Sequence, residues 1–138
     1  MIDSLVMKKR VFIQNKLWRD HTPKMLEQTG SVIHTKYLDD NAFNHHLRLK
    51  LREEADEVIS AESQQELMNE LADVLEVIDA LCALHEMSQS DIVAIQAKKR
   101  AERGGFSGRM FVTTAEHFDG SAGANYCLAQ PDKYPEAD

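Results

Sequence analysis

The stretch LREEADEVISAESQQELMNELADV, residues 51–74, decides the fold of this chain. Eight of its 24 side chains are acidic. Apolar residues recur among them every three or four positions, which is the spacing of an amphipathic helix. We interpret the stretch as parts of two helices, and its acids have two possible roles. They are either the solvated faces of those helices or a group of carboxylates that holds a metal ion.

Helical patterns continue on both sides of this stretch. DDNAF opens the first long helix, which we predict to run to about Ala61, and a second is predicted from about Gln64 to His85. A third follows a cap at Ser88 or Ser90 and ends at the pair Gly104-Gly105. HTPKMLEQTG predicts a short helix between an N-cap at Thr22 and Gly30.

The remaining segments carry weaker signals. Short strands are predicted around Val11–Ile13, in SVIHTKYL and in FSGRMFVTTAE. Residues 1–19 are interpreted as an N-terminal arm and residues 116–138 as an irregular tail. The predicted fold class is all-α, a single domain over residues 1–138 that forms a helical bundle with a short β-ribbon. Three helices make a thin bundle, so we expect a homo-oligomer, a dimer or tetramer, to complete it.

Composition limits the classes of function. The formal net charge of −7 argues against a protein that coats nucleic acid, because that role needs a basic face. Cys82 and Cys127 form no CxxC pair, and Cys82 lies in an apolar run where a buried thiol is expected. The N-terminal sequence lacks the order of a secretory signal and no segment is apolar enough to span a membrane, which predicts a cytoplasmic protein.

The acids lie beside the apolar stripes of the two long helices. The stripe of the second helix contains Leu67, Leu71 and Leu75, and we expect the two stripes to pack against each other. With Leu51 at zero, Glu54 and Glu57 project at about −60° and −120°; with Leu71 at zero, Glu70 and Asp73 project at about −100° and −160°. These four acids have no lysine or arginine four residues after them. Converging without cations, they would repel one another and have raised pKa values, a cost that a divalent ion removes. Oxygen ligands suit Mg²⁺ or Mn²⁺, and the absence of nearby cysteine argues against zinc.

The spacing EExxE, twelve residues, ExxD resembles that of the MazG-like, or all-alpha, nucleoside triphosphate pyrophosphohydrolases, which are related to phosphoribosyl-ATP pyrophosphohydrolase. The segments NKLWRDHTPKML, ELADVLEVIDAL and KKRAERGGFSGRMF are also similar to segments of that family. The resemblance extends over roughly residues 14–113 and implies a MazG-like helical bundle.

The resemblance implies a reaction and a set of site residues. It implies hydrolysis between the α- and β-phosphates, giving a nucleoside monophosphate and pyrophosphate. It implies Mg²⁺, for which Mn²⁺ could substitute, and it gives Glu53 a supporting role or that of general base. The implied metal ligands are Glu54, Glu57, Glu70 and Asp73.

Basic residues are the candidates for binding the phosphates. The resemblance points first to Lys98 and Arg103, although cations at a helix C-terminus are also favoured by the helix dipole. Lys16 and Arg19 could close over a triphosphate from a partner subunit, and an arm held by surface salt bridges is an equal alternative. Trp18 could stack on a base or simply anchor the arm.

Three functions are compatible with these patterns. The first is a house-cleaning hydrolase of non-standard or excess nucleoside triphosphates, and the second is the phosphoribosyl-ATP pyrophosphohydrolase of histidine biosynthesis. The third is a metal- and nucleotide-binding regulatory protein without turnover. The N-terminal arm and the tail favour the first over the second, and the complete set of acids favours catalysis over the third.

Overall fold

The computed structural model describes residues 7–138. Within this range the regular secondary structure consists of helices joined by irregular segments. The first six residues of the predicted N-terminal arm lie outside the described part of the chain. No helix is long and apolar enough to cross a membrane, as judged over residues 7–138. The five helices are α1 (Thr22–Glu27), α2 (Asp40–Ser60), α3 (Gln64–Leu84), α4 (Gln89–Arg103) and α5 (Ala122–Leu128).

Side-chain caps set the starts of the three longest helices. The carboxylate of Asp39 accepts a hydrogen bond from the amide of Ala42 at 2.9 Å and fixes the start of α2. The hydroxyl of Ser63 accepts from Glu66 N at 3.1 Å at the start of α3. Ser88, one of the two predicted caps, accepts from the amide of Asp91 at 3.1 Å before α4. The predicted positions of these helices are therefore confirmed.

Glycines in the left-handed region follow two of the helices. Gly104 has φ of +81° and directly follows the last residue of α4, as predicted. Gly30 has φ of +98° and lies beyond α1. Thr22 was predicted as the N-cap of α1, and this was wrong. The helix begins at Thr22, and His21 holds the N-cap position without a side-chain hydrogen bond.

Helices α2 and α3 form an antiparallel hairpin and pack against each other. Only residues 61–63 connect them, so residues at equal distances from this turn lie at the same level. Glu54 lies six residues before the end of α2, and Glu70 lies six residues after the start of α3. Leu47 and Val77, both buried, lie thirteen residues from the same helix ends. Glu54 and Glu70 therefore lie about two helical turns from the buried Leu47 and Val77, on the surface where the two helices meet.

The hairpin leaves part of the apolar stripe of α3 in solvent. We expected this stripe to face α2, but Leu67, Leu71 and Leu75 are 39%, 46% and 60% exposed. The reason is that Glu70 and Val77 lie on the side of α3 that packs on α2. Leu71 lies about 100–120° around the helix from both of them. The contact surface of α3 therefore combines apolar and acidic side chains, and an apolar face is left beside it.

The chain divides into two compact units, one ending at Ala97 and the other spanning Lys98–Asp138. The second unit contains α5, which contradicts our prediction of an irregular tail. The hydroxyl of Ser121 accepts a hydrogen bond from the amide of Ala124 at 3.3 Å and caps this helix. The helix was not predicted because the segment is rich in polar residues. The single domain over residues 1–138 stays a prediction.

The predicted β-ribbon was wrong for the part of the chain that the structure describes. The segments Val11–Ile13, SVIHTKYL and FSGRMFVTTAE contain no strand. Their side chains are mostly exposed, with Val11 at 91% and Phe111 at 88%. β-branched and aromatic residues favour extended backbone, but a strand also needs a neighbour with which to form backbone hydrogen bonds.

Candidate active site

Three carboxylates converge where α2 packs on α3. One oxygen each of Glu54, Glu70 and Asp73 lies within 4.8 Å of the others, and Glu54 is buried. The antiparallel hairpin brings Glu54 and Glu70 to one level, and the i,i+3 spacing places Asp73 on the same side of α3 as Glu70. Three carboxylates within this distance suit a hard divalent cation, which takes oxygen ligands at about 2.0–2.6 Å.

Glu57, the fourth predicted ligand, is not part of this group of three. It is exposed on α2, three residues beyond Glu54 and therefore about 60° further around the helix. Its charge still contributes to raising the pKa of Glu70, so it lies near the site. A ligand role for Glu57 stays a prediction.

The mutual repulsion expected among these acids is present at Glu70. Loss of water around its carboxyl group raises its pKa above the ordinary value of 4.5, and the charges of Asp73, Glu57, Glu54 and Glu66 raise it further. A cation placed among these carboxylates would oppose this effect. The raised pKa is therefore consistent with a site adapted to a bound positive charge.

Sequence reasoning missed Lys50, a half-buried cation at the site. Its ammonium group lies 3.2 Å from Glu53 Oε2 and 3.4 Å from Glu54 Oε1. The missing cations noted in the sequence concern positions after the acids, whereas Lys50 precedes Glu53 and Glu54 by three and four residues. The i,i+3 and i,i+4 spacings on α2 were the available signal.

The N-terminal arm contacts the site through its two predicted phosphate-binding residues. Lys16 Nζ donates a hydrogen bond to Glu53 Oε1 at 2.9 Å, and Arg19 Nη2 donates to Asp73 Oδ1 at 2.7 Å. Arg19 Nη1 also lies 3.9 Å from Glu76 Oε2. Lys16 and Arg19 therefore form salt bridges with acids of α2 and α3, and their role in binding phosphate stays a prediction.

Two pockets lie beside these contacts. The larger, of about 240 Å³, is lined by Trp18, Arg19, Thr22, Lys50, Glu54 and Asp73. A smaller one of about 60 Å³ is lined by residues that include Lys16, His46, Lys50 and Glu53. The larger pocket therefore combines two of the converging carboxylates with two cations.

Lys98 and Arg103, the other predicted phosphate-binding residues, lie on the C-terminal part of α4. They belong to the second compact unit, and both are exposed. Their role in binding phosphate stays a prediction.

The pair of Lys16 and Glu53 makes stability depend on pH. The hydrogen bond from Lys16 lowers the pKa of Glu53 below its ordinary 4.5, and Lys50 adds to this effect. A carboxylate with a lowered folded-state pKa stabilises the fold above its unfolded pKa, and this stabilisation is lost as the pH falls through the folded value. In EDTA, we expect acidification between about pH 5 and pH 3 to lower the free energy of unfolding less in Lys16→Met than in the parent chain.

Urea denaturation at a series of pH values measures this difference. Lys24→Met, which removes an exposed lysine from α1, is the matched control. Because Lys50 also contacts Glu53, the acid sensitivity of Lys16→Met should be reduced and not abolished. Identical pH profiles for the parent chain and Lys16→Met would contradict the stabilising role of this pair.

The chain matches the model of a known protein family over more than half of its length. The model of the family described as phosphoribosyl-ATP pyrophosphohydrolase matches residues 23–100, more than half of the chain. The matched range contains α2 and α3 with all the converging acids, and it excludes Lys16, Trp18 and Arg19. Neither the curated proteins nor the solved structures contain a match to this chain.

Proposed function

Because the chain belongs to the phosphoribosyl-ATP pyrophosphohydrolase family, we propose that it hydrolyses nucleoside triphosphates between the α- and β-phosphates. The products are a nucleoside monophosphate and pyrophosphate, and the role is removal of non-standard or excess nucleotides. The observation that carries this proposal is the convergence of Glu54, Glu70 and Asp73 within 4.8 Å. The pocket beside them also contains the cations Arg19 and Lys50, which suit an anionic substrate.

We assign Mg²⁺ to this site, with Mn²⁺ as a substitute. Glu54, Glu70 and Asp73 would hold the ion, and Glu57 would join them from the next turn of α2. Bound there, the ion supplies positive charge to the phosphate oxygens and makes a water molecule more acidic. The all-oxygen ligand set fits these ions better than zinc.

The side chains around the ion divide the remaining tasks. Arg19 and Lys16 donate hydrogen bonds to phosphate oxygens after exchanging their present carboxylate partners, and Lys98 and Arg103 are further candidates for phosphate binding. Glu53 orients the attacking water. Lys50, whose ammonium group lies 3.2 Å from Glu53 Oε2, would hold the carboxylate of Glu53 in place after Lys16 has exchanged to a phosphate oxygen.

We infer that the active form is a homo-oligomer, a dimer or tetramer. The exposed apolar residues Leu67, Leu71 and Leu75 form a face on α3 that a second helical hairpin would cover. The pocket of about 240 Å³ is also smaller than the roughly 300–1,000 Å³ of ordinary ligand sites, and residues of a second chain would supply its missing walls.

A second candidate function is the phosphoribosyl-ATP pyrophosphohydrolase reaction of histidine biosynthesis. The description of the matching family favours it directly. The arm that brings Lys16 and Arg19 to the carboxylates lies outside the matched residues, and this favours the broader nucleotide hydrolase. Both candidates use the same bond cleavage, so the substrate distinguishes them.

Pyrophosphate release from a panel of substrates tests the proposal. The panel contains standard, deoxy and damaged nucleoside triphosphates and phosphoribosyl-ATP, each with Mg²⁺ or Mn²⁺. We expect release that EDTA abolishes, with higher kcat/KM for one or more triphosphates than for phosphoribosyl-ATP. Preference for phosphoribosyl-ATP would establish the second candidate. Metal and nucleotide binding without release from any substrate would favour a regulatory protein and would contradict both.

A further inference from the structure

We propose that Trp18 is the surface on which the nucleobase of the substrate stacks. The substrate would then be recognised at two ends, with its phosphates among the charged side chains and its base on the indole. This inference rests on the proposed function, and it assigns the residue that binds the base of the substrate. The ligand is a nucleotide with an aromatic base, and a bare polyphosphate lacks half of the recognised features.

The larger pocket offers both kinds of contact. Four of its six lining residues are charged, one carries a hydroxyl group and one is aromatic: Arg19, Lys50, Glu54 and Asp73, then Thr22, then Trp18. A metal ion and phosphates suit the charged residues. Trp18 is the one aromatic residue of this lining, and an aromatic base is the part of a nucleotide that an indole contacts favourably.

The neighbouring residues hold Trp18 in place. Arg19 is anchored to Asp73 at 2.7 Å, and its carbonyl oxygen accepts a hydrogen bond from the amide of Thr22 at 3.1 Å at the start of α1. Trp18 itself is half-buried, so part of its side chain remains open to solvent. A surface that is already ordered loses less conformational entropy when a ligand binds to it.

Stacking also predicts the pattern of specificity. Every base has an aromatic face, so stacking tolerates many bases and discriminates mainly by stacking strength. No hydrogen-bonding group is needed for this contact. We therefore expect several bases to be accepted, which is appropriate for an enzyme that removes non-standard nucleotides.

Fluorescence of the intact chain reports directly on this contact, because Trp18 is its only tryptophan. The probes are an α,β-methylene analogue of ATP and inorganic tripolyphosphate, each with Mg²⁺. We expect the nucleotide analogue to quench the emission of Trp18 more strongly than saturating tripolyphosphate does. Equal changes with both probes would show that the arm moves without a base contact, and would overturn the inference.

Calorimetric affinities of variants provide the second measurement. In Trp18→Leu, we expect the ratio of affinities for the analogue and tripolyphosphate to fall by about 5- to 150-fold, the range of base–aromatic stacking. Trp18→Phe should retain most of that ratio. The control is Tyr37→Leu, which removes an aromatic ring that is 97% exposed. A ratio unchanged in Trp18→Leu would overturn the inference, even if overall affinity falls because the arm is loosened.

The outcomes separate this inference from the proposed function. Selective quenching by the analogue without pyrophosphate release from any nucleotide would contradict the hydrolase and retain the stacking contact. Metal-dependent pyrophosphate release with an unchanged affinity ratio in Trp18→Leu would contradict the stacking contact and retain the hydrolase.

Discussion

Replacement of Glu54 by glutamine is expected to lower kcat/KM for pyrophosphate release by about 10²- to 10⁴-fold, because a metal ion contributes several kcal/mol to stabilising charge in the transition state. Glu54 is the buried member of the group of three, and its oxygen lies within 4.8 Å of those of Glu70 and Asp73. Glutamine keeps the shape of the side chain and removes its charge. The loss of activity should therefore follow from weaker metal binding.

Mn²⁺ titration by calorimetry and circular dichroism accompany the kinetic measurement. We expect weaker Mn²⁺ binding in Glu54→Gln with an unchanged helical spectrum. Asp56→Asn is the matched control, since it removes one exposed carboxylate from the same helix. The metal site is wrongly assigned if Glu54→Gln keeps the activity and the Mn²⁺ affinity of the parent chain.

Replacement of Lys50 by methionine is expected to lower the free energy of unfolding in EDTA by about 1–3 kcal/mol. Removing one partner of a fully buried ion pair costs about 3–5 kcal/mol, because the remaining charge is left without compensation. The side chains of Lys50, Glu54 and Glu53 are 20%, 11% and 32% exposed, so water reduces that cost here. The destabilisation should nevertheless exceed that of an ordinary surface substitution.

Urea denaturation with and without Mg²⁺ measures this effect. Mg²⁺ should recover part of the lost stability in Lys50→Met, because the ion supplies positive charge to the same carboxylates. Lys50→Arg keeps the charge and should lose less stability, and Lys24→Met provides a control on an exposed helix. A loss in Lys50→Met no larger than that in Lys24→Met would show that Glu53 and Glu54 do not depend on Lys50.

The long helices could be predicted from sequence because their signals are local. Asp39 and Ser63 are caps that bond amides three residues away, and apolar periodicity covers the residues between them. The α5 helix was missed because only Ser121 marks it, within a segment rich in small and polar residues. The β-ribbon was wrong because strand formation depends on a partner, which propensity does not supply.

Only part of the site could likewise be predicted from the sequence. The i,i+3 spacing of Glu70 and Asp73 is visible in the sequence, and the hairpin that brings Glu54 to them follows from the short connection. A helical projection cannot give the rotation of two packed helices about their axes. It therefore overestimated the burial of the α3 stripe, in which Leu75 is 60% exposed.

The connectivity of the site also sets an order of assembly. Glu54, Glu70 and Asp73 lie on two helices joined by three residues, so closing this hairpin orders only a short length of chain. The arm contacts join residues that are 37 and 54 positions apart, Lys16 with Glu53 and Arg19 with Asp73. Contacts between distant positions close larger loops and form more slowly. We therefore expect the carboxylate group to form early in folding and the arm to dock last. The arm should also be the first part to detach, and nucleotides could enter the finished protein through that local opening.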